Sequence, residues 1–317
     1  MGAPLVYVHG AGPQDPPAAL KHTLDGLLFG HDVATSRVAH YAAVRWRPDG
    51  GKLPVGGESR RRQAIRTAAA PGVSPRAAAK AIVAASMISP GPPGGGRGRG
   101  AAPEPAGGSA APRAPLPLEA VQLVERLYRR ADRIALRSPG PRRATTLGPT
   151  FWDWGFRLVV GRFASDVIDY LFGGWAERMR APVRKALLDG PMPKAILAHS
   201  LGTIILYDVL TEPALAGFHD VDLITAGCPL GIGNVQDRLR DGAGRPNPVP
   251  KALAHWTNFA DRFDPVALEA TLRDEFDPPP NFAVDDAVNN PARYNHELTG
   301  YLQVPIVRSV IVAAVGP

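Results

Sequence analysis

Five residues near the middle of the chain, Ala198-His199-Ser200-Leu201-Gly202, have the pattern small-x-Ser-x-small. An apolar stretch of strand length, Lys194-Ala195-Ile196-Leu197, precedes them, and an apolar-periodic helix follows. In a turn of this kind the serine sits at the tip in a strained backbone conformation, and its neighbours are small because strand and helix approach closely. Ala198 stands where glycine is more usual, a departure of one methyl group. The helix after Ser200 aims its positive end at any anion forming on a substrate. A serine hydroxyl needs an adjacent base to act as a nucleophile. Histidine is that base, and a buried carboxylate fixes its tautomer. Taken alone, the pentapeptide also fits a plain strand-turn-helix with a capping serine, so the rest of the chain decides.

The second feature lies at the N-terminus. Leu5-Val6-Tyr7-Val8 reads as a strand and runs into His9-Gly10-Ala11-Gly12-Pro13. A Gly-rich loop after a buried strand can bring backbone N–H groups over a reacting carbonyl. Further candidates also follow strands. Asp261 and Asp264 come after the apolar run 254–259, and His296 comes after 283–288. Asp285 and Asp286 lie beside that last run and fit a catalytic role less well. His9 fits a brace for its own loop. His199 occupies the variable turn position, from which its side chain should point away from the serine. His255, inside a strand, reads as core, and Cys228 as packing. No His/Asp/Glu cluster has metal-ligand spacing.

The elements that must position these residues alternate in type. A helix is expected over 17–29, with Leu20, Leu24, Leu27 and Leu28 on one face, and a strand over 38–46. Strands are also expected around 194–198, at 221–226, 254–259 and 283–288, with a helix from Pro265 through Leu272. Strands separated by helices imply right-handed crossovers and a mostly parallel sheet, an α/β fold. Ligands then sit beyond the C-terminal strand ends, where all the candidates fall.

Between residues 47 and 150 the character changes. A basic helix opens at Ser59-Arg60-Arg61-Arg62, an Ala-rich one covers 75–87, and an amphipathic one covers 118–136. Residues 89–117 are dominated by Pro, Gly, Ala and Arg and have almost no apolar anchors, which predicts a flexible loop. Residues 138–150 read as another loop. The aromatic stretch 151–188 predicts one or two long helices broken at Gly173-Gly174. It fits a lid or acyl-binding wall beside the site, or a helix packed on the sheet.

The chain resembles the α/β-hydrolases, in particular bacterial lipase/esterase-like serine hydrolases. The resemblance rests on Val8-His9-Gly10-Ala11-Gly12, Ala198-His199-Ser200-Leu201-Gly202, Gly227-Cys228-Pro229-Leu230, Trp256-Thr257-Asn258-Phe259 with Asp264-Pro265-Val266, and Asn295-His296-Glu297 with Tyr301-Leu302. It covers roughly residues 1–46 and 150–317 and implies one hydrolase domain interrupted by a lid-like insertion at 47–150. It implies Ser200 as nucleophile, His296 as general base and then acid, and Asp264 as the orienting acid, the Asp-Pro-Val step favouring Asp264 over Asp261. The oxyanion would be bound by the N–H groups of Leu201 and Ala11, with Gly10 or Gly12 as alternatives to Ala11. No cofactor or metal is implied. The expected reaction is hydrolysis of a carboxylic ester with an acyl or aromatic group. A thioesterase or amidase would use the same residues, and a non-catalytic binding protein is the reading from another class.

Composition sets outer bounds. With 317 residues and 45% apolar content the chain can bury a full core. A single cysteine excludes an intrachain disulfide, which suits a cytoplasmic protein. No secretory leader is expected, Val6 breaks the N-myristoylation pattern, and no apolar run is long enough for a membrane span. The net charge of +7 raises a peripheral anionic membrane or nucleic-acid contact through Arg60–Arg62 and Arg97, Arg99 and Arg113. No zinc-finger, RNA-binding or homeodomain pattern supports a specific nucleic-acid partner. The oligomeric state is left open by the sequence.

Overall fold

Six strands, β1 (Leu5–Val8), β2 (Ser36–Ala39), β3 (Ala195–His199), β4 (Val221–Ala226), β5 (Leu253–Asp261) and β6 (Phe282–Val288), form one sheet in the order β2-β1-β3-β4-β5-β6. Every pairing in it is parallel. The computed structural model describes residues 4–44, 58–87, 115–137, 149–239, 247–277 and 282–316. The helices are α1 (Pro17–Phe29), α2 (Glu58–Ala69), α3 (Pro75–Ser86), α4 (Leu118–Arg137), α5 (Pro149–Leu171), α6 (Ala176–Leu188), α7 (Leu201–Leu210), α8 (Gly233–Gln236), α9 (Leu298–Tyr301) and α10 (Pro305–Val315). This is an α/β architecture, as the alternation of elements predicts.

Side chains alternate across each strand, so β1 and β3 feed two separate cores. Leu5, Tyr7, Ala195 and Leu197 join Leu24 and Leu28 of α1 and Val307 and Ile311 of α10 on one face. Val6, Val8, Ile196 and Ala198 join the core built with α5, α6 and α7 on the other. Both faces are covered, the usual condition for a parallel sheet. Asp25 ties α1 to the sheet edge. Its buried carboxylate accepts from the Tyr7 hydroxyl (2.6 Å), the Lys21 ammonium (2.6 Å), the Val33 N–H (2.9 Å) and the Ser36 hydroxyl (2.8 Å). Burial alone would raise this carboxyl, but those donors hold it below its ordinary range.

The insertion contributes helices α2, α3 and α4, which pack with one another and with α5. In α4 the apolar residues Val121, Val124, Leu127, Tyr128 and Ala131 recur at helical spacing, and all are buried. The flexible stretch expected at 89–117, with Arg97, Arg99 and Arg113, lies almost wholly outside the described residues, as does most of the 138–150 loop. The Arg60–Arg62 cluster is not a uniformly exposed patch. Arg61 is buried against Asp169 of α5 (3.1 Å) and donates to the Ala85 and Ser86 carbonyls. Among the described residues no helix is long and apolar enough to cross a membrane.

Two elements and one residue differ from the sequence expectation. Strand β2 begins at Ser36 and ends at Ala39, where a 3-10 turn over Tyr41–Val44 replaces its expected continuation. The helix expected from Pro265 to Leu272 is absent. Side chains take the backbone groups that a helix would use: Asp264 accepts from the Val266 and Ala267 N–H groups, Asp285 from those of Leu272 and Arg273, and Asn258 donates to the Ala270 carbonyl. His255, read as core, is exposed near the start of β5 and pairs with Asp222 (2.9 Å). The Asp25 cluster gives a first test. Asp25→Ala leaves a buried tyrosine hydroxyl and a backbone N–H without their acceptor, so urea unfolding should show a loss of about 3 kcal/mol. An unchanged midpoint would show that α1 is held otherwise.

Candidate active site

The site forms where strands β1 and β3 lie side by side. The chain runs from β1 outward to β2 and returns to β3, so a topological switch point falls between β1 and β3. Loops leaving two such strands diverge and open a crevice at their C-terminal ends. Here the β1 loop carries His9 to Gly12, and the β3 loop carries Ser200.

Ser200 has φ 54° and ψ −131°, a strained conformation for a residue with a side chain. Its N–H donates to the Ala226 carbonyl of β4 (3.2 Å), and its carbonyl accepts from the Thr203 N–H and hydroxyl. Gly202 is required by proximity. A Cβ there would fall 2.3 Å from the His9 carbonyl oxygen and 2.8 Å from that of Val8. The small residue expected at that position is therefore explained by the contact between α7 and β1.

The Ser200 hydroxyl lies 2.9 Å from His296 Nε2. His296 Nδ1 lies 2.8 and 2.9 Å from the two carboxylate oxygens of Asp264, which assigns the proton to Nδ1 and leaves Nε2 free to accept from the serine. Asp264 has no exposed surface. Its Oδ1 accepts from the N–H groups of Val266 (2.8 Å) and Ala267 (3.2 Å), and its Oδ2 from the Tyr301 hydroxyl (2.8 Å). Burial would raise the Asp264 carboxyl, but the neighbouring His296 ring and these donors hold it below the ordinary carboxylate range. Gly227, at the end of β4, leaves room for this pair. A Cβ there would lie 2.8 Å from Asp264 Oδ2 and 3.2 Å from His296 Nδ1.

The rival carboxylates have other tasks. Asp261 accepts from the N–H groups of Phe263 (2.6 Å) and Asn290 (2.6 Å) and from the Asn295 side chain (3.2 Å). It therefore anchors the loop that presents His296. Burial pushes its carboxyl upward against those donors. Asp285 caps the loop before residues 273–275. The side chain of Asp286 lies outside the described residues. Cys228 is buried and unpaired, its thiol pushed up to about 12 by burial, which suits packing and not nucleophilic attack.

His9 braces its loop. Its Nδ1–H donates to the Gly10 carbonyl (2.8 Å), its Nε2 accepts from the Ala42 N–H (3.2 Å), and its ring stacks on Tyr41 at 4.1 Å. In a trans peptide the C=O and the following N–H point in opposite directions. Fixing the Gly10 carbonyl on His9 therefore turns the Ala11 N–H away from His9. Gly12, the alternative donor, is committed, since its N–H donates to Asp166 of α5 (2.7 Å). The Leu201 N–H opens α7 and has no acceptor within its own helix. Of the loop residues weighed as oxyanion donors, Gly10 and Ala11 line the cavity at Ser200, and the Gly12 N–H is taken by Asp166.

That cavity measures about 310 Å³. Leu20 and Leu24 of α1, Val159 and Phe163 of α5, and Leu298 form its apolar wall, and exposed Arg162 stands on it. The aromatic stretch contributes little to it. Phe156, Tyr170 and Trp175 are core, Trp154 borders a separate cavity, and of this group Phe163 lines the cavity at Ser200, the side chains of Phe151 and Trp152 lying outside the described residues. His199 does not point away from the serine as expected. It lines the same cavity, and its ring centre lies 4.8 Å from that of His296. No group of three or more His, Cys, Asp or Glu side chains able to hold a metal occurs among the described residues. No protein-family model, curated protein or solved structure matches the chain.

Three contacts that build this site carry no local sequence signal. Asp166 to Gly12 spans 154 residues, Tyr301 to Asp264 spans 37, and Arg130 of α4 donates to the Arg262 carbonyl (2.8 Å) from 132 residues away. In the sequence Tyr301 stands out only as part of the motif that follows His296.

Burial pushes the imidazoles of both His9 and His199 from 6.5 down to about 3. The unfolded chain takes up these two protons near pH 6.5, and the folded chain only near pH 3. Their contribution to stability is therefore complete above about pH 6.5 and is lost as pH falls toward 3. The raised Asp261 carboxyl works against this trend. Between pH 6.5 and 5 the unfolding free energy should fall by roughly 2–3 kcal/mol. Urea titrations across that range test it, and a flat profile would contradict two neutral buried rings.

Proposed function

We propose that this chain is a serine hydrolase of the α/β-hydrolase type, cleaving small carboxylic esters through an acyl-enzyme. The observation that carries the reading is the unbroken series Ser200 Oγ, His296 Nε2, His296 Nδ1 and Asp264 carboxylate at 2.8–2.9 Å, with the serine in a strained strand-to-helix turn. The lid-like insertion belongs to the same reading, since α5, which packs with the inserted helices, also lines the cavity. Thioesters and activated amides are attacked by the same machinery. The single buried, unpaired thiol suits a reducing cytoplasmic setting.

In the first half-reaction the Ser200 proton passes to His296 Nε2 as Oγ attacks the carbonyl carbon. Negative charge on the carbonyl oxygen is taken by the Leu201 and Ala11 N–H groups, both fixed before the substrate arrives. Asp264 stabilises the imidazolium without taking its proton. The tetrahedral adduct collapses, His296 returns the proton from Nε2 to the leaving alkoxide, and the acyl group stays on Oγ. Water then gives a proton to the same nitrogen, attacks the acyl carbon and releases the acid. The proton returns to Oγ, so atoms and charge balance over the cycle.

The experiment is hydrolysis of p-nitrophenyl esters from acetyl to palmitoyl. Ser200→Ala should lose at least three decades in kcat. The optimum should fall at short chains, since the cavity lies at the small end of ligand sites. Equal rates in both proteins would remove Ser200 as nucleophile. The two aspartates separate by the same assay. Asp264→Asn should lower kcat by about three to four decades, as a base with a misassigned tautomer does. Asp261→Asn should chiefly lower stability. A reversed order would transfer the acid's role to Asp261.

A further inference from the structure

His199 is buried in the catalytic cavity, and the scheme above gives it no task. Its Nε2–H donates to the backbone carbonyl of His296 at 2.6 Å. This is a hydrogen bond between the residue just before the nucleophile and the main chain of the base, across 97 residues. On the opposite edge of the ring, Nδ1 lies 2.6 Å from the point where a Cβ on Gly10 would stand. The ring therefore fills the space between the oxyanion loop after β1 and the base loop after β6. It is tilted 38° to the His296 ring, and its centre lies 6.3 Å from that of Tyr301.

His296 hangs from a loop and not from a strand or a long helix. Its imidazole can point only as accurately as its backbone is held, and an error of about 1 Å in such a group costs on the order of a hundredfold in rate. From below, Asp261 fixes the preceding residues through Asn290 and Asn295. Asp264 fixes the ring itself. The carbonyl of His296 is the remaining handle, and His199 holds it.

Resting on the hydrolase reading above, we propose that His199 is a positioning residue. It fixes the main chain of His296 through the Nε2–H bond, and it holds the base loop and the Gly10–Ala11 oxyanion loop at a constant separation. It exchanges no proton with substrate. Its place at the variable position of the turn is thus a structural choice coupled to Gly10, because a side chain on residue 10 and an imidazole at residue 199 exclude each other.

Three variants test this: His199→Phe keeps the ring and removes the donor, His199→Gln restores a donor at the reach of Nε2, and His199→Asn places one short of it. Two quantities are read, kcat and KM for p-nitrophenyl acetate, and the proton resonance of His296 Nδ1–H by NMR. The phenylalanine variant should lose at least tenfold in kcat with KM within about threefold, and its His296 Nδ1–H signal should shift or broaden. Glutamine should stay within about threefold of wild type on both readouts. Asparagine should behave like phenylalanine, and it replaces phenylalanine if that variant does not fold. Wild-type kcat and an unaltered signal in the phenylalanine or asparagine variant would overturn the proposal, as would a glutamine variant impaired as severely as they are. If even wild type does not hydrolyse the ester, the hydrolase reading fails separately. The His296 signal in the same variants still decides whether His199 positions that ring.

Discussion

A carboxylate with no exposed surface has to be met by donors on every side, and the Asp264 group sets that demand here. Removing water from a charge costs several kcal/mol unless partners replace it. The partners come from three places in the chain: the two N–H groups that follow it, the Tyr301 hydroxyl of α9 and the His296 ring. Each contribution restricts its own segment. The turn after β5 must curl back on Asp264, which prevents a helix from starting at Pro265. Helix α9 must lie close enough for Tyr301 to reach in, and the same hydroxyl accepts from the Asp261 N–H (2.9 Å). Position 227 must do without a side chain. The loops around the site are irregular because one buried charge uses their hydrogen-bonding groups.

The sheet supplies the frame for this arrangement. Parallel strands place all their C-terminal ends on one edge, so residues separated by nearly 300 positions converge there without long excursions. The crevice between β1 and β3 then separates two kinds of loop. One, after β1, is braced by His9. The other carries the strained serine. The helical layer is not a detached appendage, since Asp166 of α5 holds the Gly12 N–H and Arg130 of α4 reaches the Arg262 carbonyl. Helix α5 therefore bears on the loop after β1, and α4, within the insertion, on the loop between Asp261 and Asp264.

Much of this was legible from sequence where a physical signal is local. Leu5-Val6-Tyr7-Val8 and Val221 to Ala226 are largely apolar runs of strand length and form strands, and the Gly173-Gly174 break divides two helices as expected. Ser200, Asp264 and His296 were each marked by following a strand. Their convergence is geometry that the alternation of elements implies. What could not be read is set by contacts between distant residues. The segment after Asp264 has a helix-compatible composition and is claimed by carboxylates from elsewhere. His255 is among the first three residues of β5, which are not buried as the rest of the strand is. Arg61 belongs to a run that reads as a charged surface, yet Asp169, 108 residues later, draws it into the core. The direction of the His199 side chain is not local either, because it depends on the space left by Gly10.

Cys228 has a use as a reporter. Its sulfur donates to the Thr203 hydroxyl (3.3 Å), directly behind the turn that carries Ser200, and no part of the cavity reaches it. As the only thiol in the chain, it gives a single, unambiguous site for a thiol-directed reagent. Such a reagent can react only when the packing around this buried thiol opens. The rate of labelling under native conditions therefore measures how often this region opens, independently of any substrate, and its dependence on denaturant distinguishes local breathing from unfolding of the whole chain.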